Sequence, residues 1–274
     1  MQTRSGGDVA KDRRLDDMPL RLARTETGAI LYDPSRIDHP RAADFDPAAL
    51  ERAGRVRAAA GGRGSAWFVA ARAPASGEWV LRHYRRGGFV ARFVEDAYAW
   101  PGAARVRCFR ELELLATLEA RGLPVAPPVA ARYVRRGLLY RADLITRAIP
   151  GVRPLAALVN AAPGEPTLAA DGWRAVGACV RRFHDAGAWH ADLNAHNVLL
   201  EVAWLGAAMP AAGAGVHLVD FDRSELRPAG AASSALRAAN LERLERSLRK
   251  VTHAAPERFG AEHRAWLHEG YGAR

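Results

Sequence analysis

His190-Ala191-Asp192-Leu193-Asn194-Ala195-His196-Asn197 sets a carboxylate and a carboxamide a short loop apart and runs at once into the apolar stretch Val198-Leu199-Leu200. Phosphoryl transfer needs this pair of groups. A carboxylate orients or accepts the proton of the attacking hydroxyl, and an amide oxygen nearby holds a magnesium ion on the triphosphate. The apolar run then anchors the loop as a buried strand. Two plainer readings compete. One is an ordinary polar loop following a helix. The other is a zinc site built from His184, His190 and His196, but these lie six apart, unlike the short ligand spacings of helix or knuckle sites.

The flanking sequence favours the first reading. The loop fits the pattern H-x-D-L-x-x-x-N of kinase-like catalytic loops. Downstream, His217-Leu218-Val219-Asp220-Phe221-Asp222-Arg223 reads as an apolar strand delivering Asp220 at its end, where a kinase-like enzyme places a second magnesium ligand. Asp222 stands where that motif has glycine. Upstream, Gly62-Arg63-Gly64-Ser65 reads as a glycine turn between strands, and glycine lets backbone N–H groups approach phosphate closely. In the next strand, Trp79 to Tyr84, Arg82 occupies the position of the phosphate-binding lysine. Glu111, in Glu111-Leu112-Glu113-Leu114-Leu115, fits the helix glutamate that pairs with that strand cation, with Glu113 as the alternative. Each piece alone has a bland reading as a hairpin turn or a surface glutamate. Their order and separations carry the argument.

A coarse pass gives the setting. Asp46-Pro47 opens a short helix through Arg57, because proline is tolerated in a first turn. A helix over Arg105 to Arg121 carries Leu112, Leu115 and Leu118 at helical spacing and stops at Gly122. Val129 to Tyr133 and Leu138 to Ile145 form a hairpin turning at Arg136-Gly137. Ile149-Pro150-Gly151 is a linker, Pro154 to Val159 a short helix and Trp173 to Ala186 a long apolar one. Leu236 to Lys250 is a terminal amphipathic helix. The expected fold is α+β and bilobal, protein-kinase-like, with an antiparallel-sheet N-terminal lobe, a shortened helical C-terminal lobe and the site in the cleft. The boundaries read as a flexible tail over 1–20, an N-terminal lobe over 21–147 and a C-terminal lobe over 148–274.

The 274 residues are 49% apolar and carry a formal net charge of +10. Nearly all the positive charge is arginine. Such a chain is drawn to nucleic acid, anionic membrane or phosphorylated substrates. Cys108 and Cys179 sit in apolar, helical settings and read as buried thiols in a reducing cytoplasm. No signal peptide is visible, and no run approaches the roughly 18 apolar residues of a membrane span.

Several segments give these motifs a family. They are Gly62-Arg63-Gly64-Ser65-Ala66-Trp67-Phe68-Val69, Trp79-Val80-Leu81-Arg82-His83-Tyr84-Arg85-Arg86-Gly87-Gly88, Gly122-Leu123-Pro124-Val125, Ala142-Asp143-Leu144-Ile145-Thr146, the His190–Asn197 loop and Val219-Asp220-Phe221-Asp222-Arg223. Over about residues 28 to 250 the chain resembles the 3-deoxy-D-manno-octulosonic acid (Kdo) kinases, in the lipopolysaccharide kinase branch of the protein-kinase-like superfamily. The resemblance implies ATP- and magnesium-dependent phosphorylation of the 4-hydroxyl of the Kdo sugar of Kdo-lipid A. It also implies a peripheral enzyme on the cytoplasmic face of the bacterial inner membrane. By motif, Asp192 is the catalytic base, Asn197 and Asp220 are the magnesium ligands, Arg82 is the phosphate-binding cation supported by Glu111, and Gly62, Arg63, Gly64 and Ser65 form the phosphate loop.

Two departures from general kinases matter. Arg82 replaces lysine, and its planar fork needs more room, which makes an inactive kinase conceivable. Asp192, Asn197 and Asp220, all present, favour activity. About fifty residues follow Asp222 without an A-P-E sequence, which argues against a protein acceptor. Arg85 and Arg86, with Arg92, Arg105 and Arg107 close by, are candidates for contact with anionic lipid. The alternatives are a core heptose kinase, another small-molecule kinase of this fold, and a non-enzymatic nucleotide- or nucleic-acid-binding module. No nucleic-acid motif supports the last.

Overall fold

A computed structural model of the chain describes residues 20–60, 66–84, 97–162, 165, 167–205, 215–228 and 233–272. The phosphate-loop candidates Gly62, Arg63, Gly64 and Ser65 lie outside the described residues, as do the lipid-contact candidates Arg85, Arg86 and Arg92.

The first half builds one antiparallel sheet from β1 (Arg21–Thr25), β2 (Gly28–Tyr32), β3 (Val56–Ala60), β4 (Ala66–Ala70), β5 (Glu78–His83), β6 (Tyr98–Ala99), β7 (Pro128–Arg136) and β8 (Leu139–Arg147). The strand order is β1-β2-β7-β8-β5-β4-β3, and β6 pairs with β8. The period of two in β5 sorts its side chains. Trp79 and Leu81 are buried on the outer face with Ile30, Phe45, Leu50, Val69 and Ile145, while Val80 and Arg82 face the other way, into a cleft. The outer core is covered by the segment around α1 (Pro47–Arg52). That helix is shorter than the expected run to Arg57. Gly54 takes a φ of 66°, which glycine adopts without strain, and this turn sends Val56 into β3.

Across the inner face of β7 and β8 lies α2 (Arg107–Ala120), burying Cys108, Phe109, Leu112, Leu115 and Leu118. Glu111 falls on the same stripe and is buried with them. The core continues without a break into the second half. There, α3 (Leu155–Val159) follows β9 (Val152–Pro154), and α4 (Ala170–Asp185) leads to β10 (Ala188–Trp189). Next come β11 (Val198–Glu201), β12 (Val216–Leu218) and β13 (Glu225–Leu226). The order β12-β11-β9 makes one small sheet, and β10 pairs with β13.

The expected terminal helix is α5 (Ser234–Val251), but it is not the last: α6 (Ala261–Tyr271) follows and packs along α4. Two glycines permit that packing. A Cβ on Gly177 would collide with the Leu267 carbonyl, and one on Gly270 with the Arg174 carbonyl. Both cysteines are buried thiols, and burial pushes the Cys179 thiol up to about 12.

Candidate active site

The cleft is a cavity of about 670 Å³, within the size range of small-molecule sites. Phe68, Val80 and Leu144 of the large sheet form one wall, Leu199 and Val219 the other, and the connection around Ala148 and Ile149 closes the back. Arg82, Glu111 and Asp220 stand together on the lining.

Arg82 points from β5 between two carboxylates. Its Nη2 donates to Glu111 Oε1 and Oε2 at 2.5 and 2.6 Å, and its Nη1 donates to Asp220 Oδ1. Glu111, rather than Glu113, is therefore the partner of the strand cation. Burial alone would favour a neutral guanidinium, but Glu111 and Asp220 outweigh it and hold Arg82 firmly in its charged form. Burial also pushes the Asp220 carboxyl up, and the Arg82 guanidinium more than reverses this to hold it below the usual carboxylate range. Tyr84 completes the cluster: its ring lies under the Arg82 guanidinium at 4.9 Å and its hydroxyl donates to Glu111. No motif marks Tyr84, but two residues on from Arg82 along an extended chain it shares that residue's face.

The His190–Asn197 loop is held by its own polar groups. His190 Nε2 lies 3.0 Å from the Val219 carbonyl oxygen, and the Asp192 N–H lies 3.2 Å from His190 Nδ1. A carbonyl accepts and an N–H donates, so the neutral Nε2–H tautomer satisfies both contacts. Burial, the largest influence, lowers the His190 pKa below 6.5 and keeps that form at neutral pH. The ring also packs on Phe221, centroid to centroid 4.6 Å. Asn197 Nδ2 donates to the Asp192 carbonyl oxygen at 2.9 Å, so Oδ1 is the amide atom left for a cation. The Val219 N–H donates to the Asn197 carbonyl oxygen, which brings Asn197 alongside Asp220. The Asp192 carboxylate is 60% exposed, with Arg243 at 3.5 Å and Asn194 Nδ2 at 3.1 Å, so it is open to an incoming hydroxyl.

Asn240, Tyr271 and His184, the last a weak zinc candidate by sequence, also support the loop. Asn240 of α5 donates to the His190 carbonyl oxygen at 2.7 Å and accepts from His184 Nε2 at 3.0 Å. The Tyr271 hydroxyl donates to His184 Nδ1 at 2.8 Å. The directions run one way, from Tyr271 of α6 through α4 and α5 to the loop. His184 is thus a structural relay whose two ring nitrogens are both taken by hydrogen bonds, which leaves neither for zinc.

Asp222 pairs with Arg107 at the start of α2, with Nε to Oδ1 at 3.0 Å. The Arg107 guanidinium also lies 4.7 Å over the Tyr98 ring. This engagement removes Arg107 from the candidate lipid contacts; Arg105 beside it is exposed.

Comparison with known proteins fixes the family. The family model described as lipopolysaccharide kinase (Kdo/WaaP) family matches residues 48–265. The chain belongs to that family. It is a phosphotransferase that acts on a hydroxyl group, and its fold is α+β, an antiparallel sheet and a helical half about a cleft. Among curated relatives, the 3-deoxy-D-manno-octulosonic acid kinase of Xanthomonas axonopodis pv. citri is 45% identical over 82% of this chain and 81% of its own. That of Photobacterium profundum is 38% identical over 88% of this chain and 94% of its own. Among solved structures, WaaP in complex with acyl carrier protein is 16% identical, with a TM-score of 0.48, over 84% of this chain and 83% of that one.

The family implies a nucleotide and magnesium, and the donor set fits. Hard oxygen ligands suit Mg²⁺, which takes one or two from protein and the rest from phosphate and water. The Asn197 amide oxygen and the Asp220 carboxylate are donors of this kind, and the Val219 N–H bond to the Asn197 carbonyl ties the segments that carry them.

Proposed function

We propose that this chain transfers the γ-phosphoryl group of ATP to the 4-hydroxyl of the Kdo sugar of Kdo-lipid A, with magnesium, at the cytoplasmic face of the bacterial inner membrane. The observation that carries the reading is the Arg82 bridge between Glu111 and Asp220 inside an apolar cleft. The acceptor follows from relatives named for it at 38 and 45% identity over most of both chains.

In this reading the apolar walls take the base. Arg82, held in place by Glu111 and Tyr84, binds the phosphates, and its fork suits bidentate phosphate contact. Asn197 and Asp220 hold the magnesium ion, which would neutralise charge on the phosphates. Asp192 orients the acceptor hydroxyl and takes its proton. The work is positioning and electrostatics, as phosphoryl transfer requires.

Incubation of the purified protein with γ-labelled ATP, magnesium and Kdo-lipid A tests this, with a heptose-bearing core acceptor in parallel. Label on the Kdo-lipid A is expected. A folded protein that labels only the heptose acceptor, or neither, overturns the acceptor assignment.

A further inference from the structure

The β7–β8 hairpin ends in an unusual turn. Gly137 and Leu138 are its two central residues, and Gly137 takes a φ of 61°, as the first central position of a type II′ turn requires. Leu138, where a small polar residue is ordinary, is 82% exposed, and Leu139 beside it is 41% exposed. Among the described residues only two other large apolar side chains, Leu22 and Val202, are exposed. Scattered single leucines need no explanation, but an adjacent pair at the tip of a hairpin does.

The tip is basic and stiff. Arg135, Arg136 and Arg141 flank the leucines, against Glu26 in the neighbouring β1–β2 turn, whose Thr27 carbonyl accepts from the Arg135 N–H. Arg135 Nε donates to the Gly137 carbonyl oxygen at 2.8 Å, and its guanidinium lies over the Trp100 ring at 4.9 Å. The Trp100 N–H donates to the Leu138 carbonyl oxygen. The leucines therefore sit on a fixed wedge with a half-buried tryptophan behind them, and tryptophan suits a membrane–water interface.

A chain of contacts runs from the wedge towards the cleft. Tyr140 follows Leu139, its hydroxyl accepts from the Arg107 N–H at 3.4 Å, and Arg107 is paired to Asp222, next but one to Asp220. We infer that this tip seats the protein on an anionic bilayer, with Leu138 and Leu139 in the interface and the arginines on phosphate headgroups, which turns the cleft towards a lipid-borne acceptor. Two leucines on a convex turn offer far less than the roughly 800 Å² a side of a stable protein contact, whereas a bilayer needs only apolar insertion plus positive charge. The inference rests on the acceptor being a membrane lipid.

Co-sedimentation of the full chain with phosphatidylethanolamine–phosphatidylglycerol vesicles, against phosphatidylcholine vesicles, is the test. The wild type binds the anionic vesicles. The double variant L138S/L139T binds about tenfold more weakly or worse, and Arg136→Gln and Arg141→Gln each lose about fivefold. Both leucines are exposed, so the double variant keeps its melting temperature and its activity on a lipid-free Kdo acceptor. Equal vesicle binding by L138S/L139T overturns the inference. So does a wild type that self-associates in sedimentation velocity while L138S/L139T stays monomeric, because the leucines then cover a second copy. A wild type that ignores anionic vesicles overturns the membrane placement itself. Intact vesicle binding without any phosphorylation condemns the functional reading and leaves the wedge standing.

Discussion

The guanidinium of Arg82 is shared: it holds Glu111 from α2 on one nitrogen and Asp220 from the turn after β12 on the other. A lysine ammonium has no such fork and would serve the two carboxylates less well. Arg82→Lys should raise the KM for ATP and lower kcat/KM by about tenfold. Arg82→Ala should do more. It leaves Glu111 buried without its counter-charge, a loss of about 3–5 kcal/mol for a buried pair broken on one side. Steady-state kinetics and chemical denaturation of the two variants measure both effects.

Asp192 contrasts with that cluster. Its carboxylate is exposed and makes only peripheral contacts. Asp192→Asn should leave the melting temperature unchanged and reduce kcat by about 10² to 10⁴, the range for a general base. An equal kcat would remove that role.

His190 and His184 are both held neutral, chiefly by burial, with pKa values below 6.5. Between their folded values and 6.5 the unfolded chain binds more protons than the folded one. Stability therefore rises with pH across that window and falls as pH drops through it, by at most about 1.4 kcal/mol per pH unit for each histidine. Carboxylates held low, such as Asp220 and Asp185, add their loss at lower pH. Urea denaturation at pH 7.5, 6.5 and 5.5 should show the midpoint falling. His184→Gln should flatten the dependence.

Asn240 has no contact with the cleft, yet it fixes the His190 carbonyl. Asn240→Ala strands a buried acceptor and the His184 N–H, at about 1–3 kcal/mol for each unsatisfied group. Because it displaces the loop that carries Asp192 rather than the cleft walls, kcat should fall while the KM for ATP stays within about twofold. Tyr271→Phe, one step further along the relay, should show a smaller effect in the same direction.

The parts of the site with local signatures were readable from sequence. The period of two put Arg82 into the cleft, the α2 stripe buried Glu111 with its leucines, and an apolar strand delivered Asp220. The Arg82–Glu111 pair was expected from the motif; that the same guanidinium also reaches Asp220 is a long-range fact that no spacing encodes. Asn240, His184 and Tyr271 were opaque for the same reason: each sits in an ordinary helix and meets its partners only after α4, α5 and α6 have packed. A helix beyond Lys250 is hard to read because Ala261–Tyr271 carries a weak apolar stripe and includes Gly270. That glycine is what allows α6 to close on α4. The helix expected to reach Arg57 stops early because Gly54 turns the chain towards β3.

The most direct test of the central claim is to locate the phosphate. Kdo-lipid A treated with the protein, ATP and magnesium should gain one phosphoryl group, and phosphorus–proton correlation should place it on the 4-oxygen of Kdo; Asp220→Ala should yield no product. A folded wild-type protein that leaves the Kdo sugar unmodified, or an Asp220→Ala variant that phosphorylates it at the wild-type rate, would contradict the account.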